Sequence, residues 1–552
     1  MARDSRFTEQ SQDEREQTHF EQAISLLTTA VTNDWVWLVA ALSVAAILVA
    51  IYYQSHPYPA YGAGLYLSIA EKILAHGYRP PTRIPGYTAE GVPFAYPPLG
   101  LYGTAVLLDF GAHPITLTRL LPGFITMIAV IPFYYLAREI VGSSFRAGVI
   151  TILFAATPDL LQWHISAGGI VRAPAFLFTL TGLYYGVKLF QSKNRQSLVP
   201  AVVLFGLTLL THPTYSAFFG ASYVLLYVFY DRSLIGLVLG AGVAVGGFVI
   251  ALPWLAYTIL IHGIEPFIAA AGTHGGLFQT PSPFRLLSEL GRPIAAGHTM
   301  SVWYLLVLLG GGYLIAQRRF FLPVWFLLSV LLLHESRFSF IPGTMVIGAW
   351  LTVPHNVGSD IVHHYATRWL LRGVTAGLLL LMVTMGGFYA AGTPLPGGTS
   401  LPSFIDNEDL EATAWVDKEV PTDAEFVVIG DAAEWFPYLS NRTIAVGLWG
   451  VEWNSPAAYQ HHLRMYRRLS HCHTQTCLSN QLRKNNVQPD YVYVPKGSYT
   501  VRGIRTHQLP RMRRSLLHST DYLLVYENQG VMIFRVNSLS NETASSSRVS
   551  LR

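Results

Sequence analysis

Charge is what this chain has least of. Charged residues make up only 12% of its 552 residues, about half the share carried by a soluble globular domain. That scarcity excludes an ordinary water-facing surface over most of the length. The net charge of +5 is modest, and no basic tract with interleaved aromatics occurs on a soluble segment, so nucleic acid is excluded as a partner. The surplus is read instead as loop charges lying against anionic membrane lipids. The polar first 34 residues, with Arg3, Asp13, Arg15 and Glu16, lack the n-region and cleavage site of a secretory signal. The first apolar run is therefore expected to stay as an anchor. No inverted repeat and no paired broken helices of the transporter kind are present, which leaves a transporter as the last alternative.

Apolar residues fill the space that charge leaves. They reach 51% of the chain, and mean hydropathy is +0.35. A helix needs about 20 apolar residues to cross a bilayer, and only helices or closed barrels satisfy their backbones there. The runs at 35–53, 117–138, 146–163, 172–190, 198–212, 215–230, 234–261, 301–316, 320–333, 338–354 and 370–391 predict a polytopic α-helical membrane protein with about 11 transmembrane helices. Arg138, Arg146, Lys188, Lys193, Arg195, Arg232, Arg318, Arg319, Arg368 and Arg372 then all fall on the side of the N-terminus, which the positive-inside rule makes cytoplasmic. The opposite face receives loops 54–116, 164–171, 213–214, 262–300 and 334–337 and everything after 391. This count requires that 97–111, which opens with two prolines, does not span. An integral, multi-pass plasma-membrane protein is expected, organised as a cytoplasmic segment 1–34, a transmembrane domain 35–391, a linker 392–402, an extracytoplasmic α/β domain 403–538 and a disordered tail 539–552.

The α/β reading rests on local pattern. Leu410–Val420 reads as a helix opened by Asp406 to Asp409, Glu425–Gly430 and Asp490–Val494 as strands, and Ala457–Leu469 and Ser479–Asn485 as helices. Tyr522–Tyr526 and Val531–Val536 read as a hairpin about Asn528 and Gly530. The two cysteines, Cys472 and Cys477, sit in HCHTQTC. In an exported domain a disulfide is the plain reading; a zinc site with His471 and His473 has no standard spacing, and free thiols are the third reading. Asn441-Arg442-Thr443 and Asn541-Glu542-Thr543 fit the glycosylation acceptor pattern.

The first outer loop contains YLSIAEKIL at 66–74, then HGY, then FAYPPLGLY at 94–102. GGIVRAPAFLF at 168–178, LTHPTYSAFFG at 210–220 and ESRFSFIPGTMVIG at 335–348 follow in order, and the tail adds ATAWVDKEVP, GDAAEWFPYLSNRT and WGVEW. In this order, over almost the whole chain, they resemble the GT-C superfamily of lipid-dependent glycosyltransferases, in its glycosyltransferase-39-like and oligosaccharyltransferase-like branches. The resemblance implies transfer of a sugar from a polyprenyl-phosphate carrier, on the outer face, to a protein, lipid or glycan acceptor. It implies a carboxylate near the first loop as base or metal ligand, with Mg²⁺ or Mn²⁺ as the metal where one is used, and cationic groups for the carrier phosphate.

One departure stands out. The family's first-loop acid, just ahead of the YL-x-IA segment, has no counterpart in Pro59-Ala60-Tyr61-Gly62-Ala63-Gly64. Either Glu71 or Glu90 substitutes, with Glu335 in reserve, or the chain is a catalytically silent relative that only binds the lipid. Arg172 and Arg337 are the expected phosphate ligands, because the guanidinium fork matches phosphate. Asp159, His164 and His212, at the outer ends of spans, are expected to support the cavity.

Overall fold

The structure is a computed structural model that describes residues 32–273, 287–288, 290–291, 300–333, 335–352, 361–393, 400–507 and 510–537. Most of the expected N-terminal segment, much of loop 262–300, the middle of the linker, the second acceptor pattern and the terminal tail lie outside the described residues.

A helix stands at each of the eleven expected spans. Five are long and apolar enough to cross a membrane: Asp34–Ser55, Pro114–Val141, Gly169–Phe190, Leu234–His262 and Gly373–Ala390. Ser144–Ala155 and Pro158–Ile165 make one further candidate, bent by 59°. The bend falls where Pro158 lacks the N–H that would continue the first helix. Several others are shorter, such as Ser301–Ala316 and Phe321–Leu333. Helix starts follow local chemistry: Asn33 and Ser233 side chains accept from Trp35 N and Gly236 N, and Pro114 and Pro213 take first-turn positions. The segment 97–111 folds as Leu99–Asp109, 11 residues long, which spans only about 16 Å at the helical rise and falls short of a bilayer core.

Charges gather at one end of the helical layer. Asp34 takes Arg138 Nε at 3.0 Å and the Tyr134 hydroxyl at 2.7 Å, and Lys188 pairs with Glu139 at 2.7 Å. The far end of Asp34–Ser55 enters the first loop, where the tail module is stitched on. His56 Nε2 meets Leu401 O at 2.8 Å, Tyr61 N donates to Pro402 O at 2.8 Å, and Ala60 and Tyr61 bridge to Ser403.

The tail module is α/β. Its sheet runs Thr443–Ile444, Glu425–Val428, Tyr491–Pro495, Val531–Val536, Tyr522–Glu527, with the first three strands parallel and the last two antiparallel to their neighbours. Asp406 and Asp409 form a reciprocal capping box on Asn407–Glu419. Cys472 and Cys477 are joined in a disulfide, which leaves neither sulfur as a free thiol or a zinc thiolate. Leu67, Ile69 and Phe94 of the first loop share one buried core with Phe426, Trp435 and Tyr493 of the tail. The helix Gly64–Ala75 thus buries its apolar face largely against protein.

Candidate functional site

Three parts of the chain enclose a cavity of about 230 Å³. The first loop supplies Tyr61, Gly62, Tyr66 and Tyr96. The end of the bent span and the start of the next supply Trp163 and Arg172. The tail supplies Asp431, Glu434, Trp449, Glu452 and Arg502. Local structure explains the convergence. Tyr61 is held left-handed at φ 59, a conformation that bulky residues avoid unless their surroundings impose it. Its ring stacks on Trp163 at 5.3 Å, its hydroxyl takes Gln162 Nε2 at 2.7 Å, and its carbonyl takes Trp435 Nε1 at 3.1 Å.

Glycines let the tail approach this closely. A Cβ on residue 62 would lie 1.9 Å from Glu434 Cδ, and one on residue 64 would lie 2.1 Å from the Glu434 carbonyl oxygen. The Glu434 carboxyl therefore occupies the space where a side chain at position 62 would begin. Its main chain is pinned from the other side by the Tyr87 hydroxyl, which donates to Glu434 O at 2.9 Å. Burial, with Asp431 beside it, pushes the Glu434 carboxyl up to about 8, against the pull of Arg172, Arg502 and Trp449. Burial also lifts Glu452 to about 7, and its Oε2 is buried with no hydrogen-bond partner among the described residues. Asp431 is committed to structure. It accepts from Arg502 N at 2.9 Å, from Gly503 N at 2.7 Å and from the Tyr466 hydroxyl, fixing the hairpin tip that brings Arg502 to the cavity.

The cations meet over one ring. Arg172 Cζ lies 5.1 Å and Arg337 Cζ 5.8 Å from the centroid of Trp163. Arg172 lines the cavity and has no ion pair to a described carboxylate. Arg337 is buried, also against Tyr215 at 5.4 Å, and is ion-paired with Glu335. Its Nε has no partner among the described residues.

No family model and no curated protein matches the sequence. Among solved structures, the arabinofuranosyltransferase AftD from Mycobacteria aligns at TM-score 0.55 and 13% identity, over 92% of this chain and 42% of that one. ArnT from Cupriavidus metallidurans aligns at 0.51 and 14%, over 89% and 96%. The archaeal oligosaccharyltransferase AglB from Archaeoglobus fulgidus, in complex with an inhibitory peptide and a dolichol-phosphate, aligns at 0.50 and 14%, over 82% and 69%. This chain has the GT-C fold.

Within that fold, the expected residues fall in different places. Glu71 is exposed, accepts from the Tyr438 hydroxyl at 2.9 Å and lines a separate groove of about 390 Å³. Glu90 is exposed in a turn, where its backbone carbonyl takes Arg83 Nε at 3.0 Å. Neither lines the Arg172 cavity. His164 is buried under the site, with Nε2 at 2.6 Å from the Tyr215 hydroxyl and its ring stacked on Phe176 at 3.9 Å. His212 is buried edge-on to Tyr96 and Tyr215, and Asp159 is buried on the helix that carries Trp163. Both histidines thus stand behind the cavity wall.

Sequence reasoning missed Glu434, Glu452 and Arg502; the glycine pair at 62 and 64 was the available signal. The GT-C resemblance also raises Mg²⁺ or Mn²⁺. Among the described residues no three His, Cys, Asp or Glu side chains gather as a metal site, and both Asp431 oxygens are already taken by N–H and O–H donors. The described residues do not fit such an ion. In the first acceptor pattern, Asn441 Nδ2 donates to Asp417 and Thr443 is paired in the sheet.

Proposed function

We propose that this chain is a membrane glycosyltransferase that takes a sugar from a polyprenyl-phosphate donor at the cavity beneath its tail module. The observation that carries the reading is Arg172, an arginine without a carboxylate partner in the wall of a cavity that also holds carboxylates. An anionic phosphate entering there forms charge-assisted hydrogen bonds with the guanidinium. Arg337, behind Trp163, adds positive potential in a site that excludes much of the water, where charge counts most. When the sugar–phosphate bond breaks, negative charge grows on the phosphate oxygen, and these cations stabilise it. The tyrosines and tryptophans of the wall suit the faces of a sugar ring.

The orientation belongs to the same proposal. The end of the molecule with Asp34, Arg138 and Lys188 is cytoplasmic, and the cavity, the 403–538 domain and its disulfide face outward, in keeping with the charge rule and the oxidising compartment. The bilayer is crossed about eleven times. The acceptor is a protein, lipid or glycan presented at the outer surface.

The test is release of labelled sugar by purified full-length protein from a panel of polyprenyl-phosphate hexoses and pentoses in liposomes. Wild type turns over at least one donor. Arg172→Ala weakens donor binding by about 10–100-fold, the worth of one or two hydrogen bonds to a charged group, and Arg172→Lys restores part of it. Undecaprenyl phosphate binding without turnover of any donor would instead identify a silent, lipid-binding relative.

A further inference from the structure

Resting on that reading, we propose that Glu434 of the tail module is the carboxylate that takes the acceptor's proton, replacing from a distant part of the chain the acid that the first loop lacks.

The case is spatial. The first loop carries no acid from Pro59 to Gly64, yet a carboxylate stands against this segment. Glu434 Cδ and Oε2 would each lie 1.9 Å from a Cβ on residue 62, and Oε1 2.5 Å from it. A side chain at 62 and the Glu434 carboxyl are therefore mutually exclusive occupants of one volume. Placement is fixed from both directions: Tyr87 holds the Glu434 carbonyl at 2.9 Å, and the next residue, Trp435, ties to Tyr61 O at 3.1 Å. The backbone that bears the carboxyl is therefore fixed beside the first loop, which narrows the space its side chain must search to meet the acceptor. The same cavity wall contains Arg172, so the proton acceptor and the phosphate ligand face one substrate volume.

Neighbouring acids are less suited. Asp431 spends its oxygens on three donors in the 502–503 turn and in Tyr466. Glu452 lines the same cavity, but the carboxyl that fills the space at position 62 is that of Glu434. Burial beside Asp431 raises the proton affinity of Glu434, the direction that suits a general base working near neutral pH.

The step balances. The oxygen of an acceptor hydroxyl attacks the anomeric carbon, and its O–H proton passes to the Glu434 carboxylate. The bond from the anomeric carbon to the phosphate oxygen breaks, and its electron pair leaves on polyprenyl phosphate beside Arg172. Glu434 then returns its proton to water.

The experiment uses full-length protein in liposomes with the donor panel above and undecaprenyl phosphate as the binding probe. Glu434→Gln is expected to lower kcat by about 100-fold or more, the usual worth of general-base catalysis, while undecaprenyl phosphate binds as to wild type. Gly62→Asp placed in the Glu434→Ala background returns an acid to the first loop and is expected to recover about tenfold of that loss. Wild-type turnover that survives Glu434→Gln overturns the role of Glu434 and leaves the transferase reading standing, as does selective loss in Glu452→Gln. Wild type inert on every donor overturns both. Should Glu434→Gln fail to fold, Glu434→Asp decides: a lower kcat at unchanged lipid binding supports the proposal, and an unchanged kcat refutes it.

Discussion

The contact between Gly62 and Glu434 can be tested without knowing the substrate. In Gly62→Ala the new methyl carbon starts 1.9 Å from Glu434 Cδ. Ordinary carbon contact is near 3.5 Å, so the carboxyl must retreat by about 1.6 Å. It is the free end of a flexible side chain with a cavity of about 230 Å³ beside it, so the strain belongs at the low end of the roughly 1–3 kcal/mol typical of overpacking. Gly64→Ala differs. Its methyl would meet backbone, Glu434 O at 2.1 Å and Trp435 Cα at 2.8 Å, and backbone tied into a sheet domain cannot swing aside. Its cost belongs at or above about 3 kcal/mol. Thermal unfolding followed by tryptophan fluorescence should rank wild type above Gly62→Ala, and Gly62→Ala well above Gly64→Ala. In the Glu434→Ala background Gly62→Ala should be neutral within about 0.5 kcal/mol, because its partner in the clash is gone. Equal destabilisation by Gly62→Ala in wild type and in Glu434→Ala would refute the placement of the carboxyl. Turnover supplies a second reading: displacement by more than about 1 Å at a reacting group costs on the order of 100-fold, far more than the small loss of stability would explain.

Three further outcomes are expected. Replacing Cys472 and Cys477 by serine opens a short loop and should lower stability by about 2 kcal/mol, read as a lower melting temperature that reductant no longer changes. Glu434 and Glu452 are raised from an ordinary 4.5 to about 8 and about 7, so the folded state binds protons more tightly than the unfolded one. Their contribution is complete below about pH 4.5 and is lost as pH rises through about 7 to 8; a melting profile over pH should show this fall, and Glu434→Gln should flatten it. Glu71→Gln keeps an oxygen that can accept from the Tyr438 hydroxyl and removes only the charge; it should leave donor turnover within about threefold, since one exposed hydrogen bond is worth about 1 kcal/mol or less, and loss of turnover would return the base to the first loop.

Much of the helical layer was legible because its signal is local. Long apolar runs bounded by Asn33, Ser233 or proline specify helices without reference to distant contacts, and Asn528 specifies the hairpin it closes, accepting from Gly530 N and Val531 N. The hairpin Ser498–Val501 to Ile504–His507 was missed. Its turn is only Arg502-Gly503, both left-handed at φ 58 and 76, and arginine is an unusual residue there. Arg172 was legible as a site residue because a charge in an apolar helix is expensive. Glu434 and Glu452 were not, although both lie in tail segments that carried the GT-C resemblance. An acid in a soluble domain is unremarkable until the fold sets it against Gly62, more than 360 residues earlier. Glu71 drew notice for its nearness in sequence to the YL-x-IA segment, but it lies two helical turns past Gly64, roughly 10 Å along the axis, where it meets Tyr438 instead of the cavity.

The stitching of Ala60, Tyr61 and Gly62 to Ser403 and Glu434 sets a timetable for the molecule. The loop after the first long helix is half of a pocket whose other half is translated after the helical layer. Until the sheet has been released and has settled onto its waiting loop, Arg172 stands in a wall with nothing opposite it. A product cut short anywhere before residue 502 would therefore lack a closed cavity.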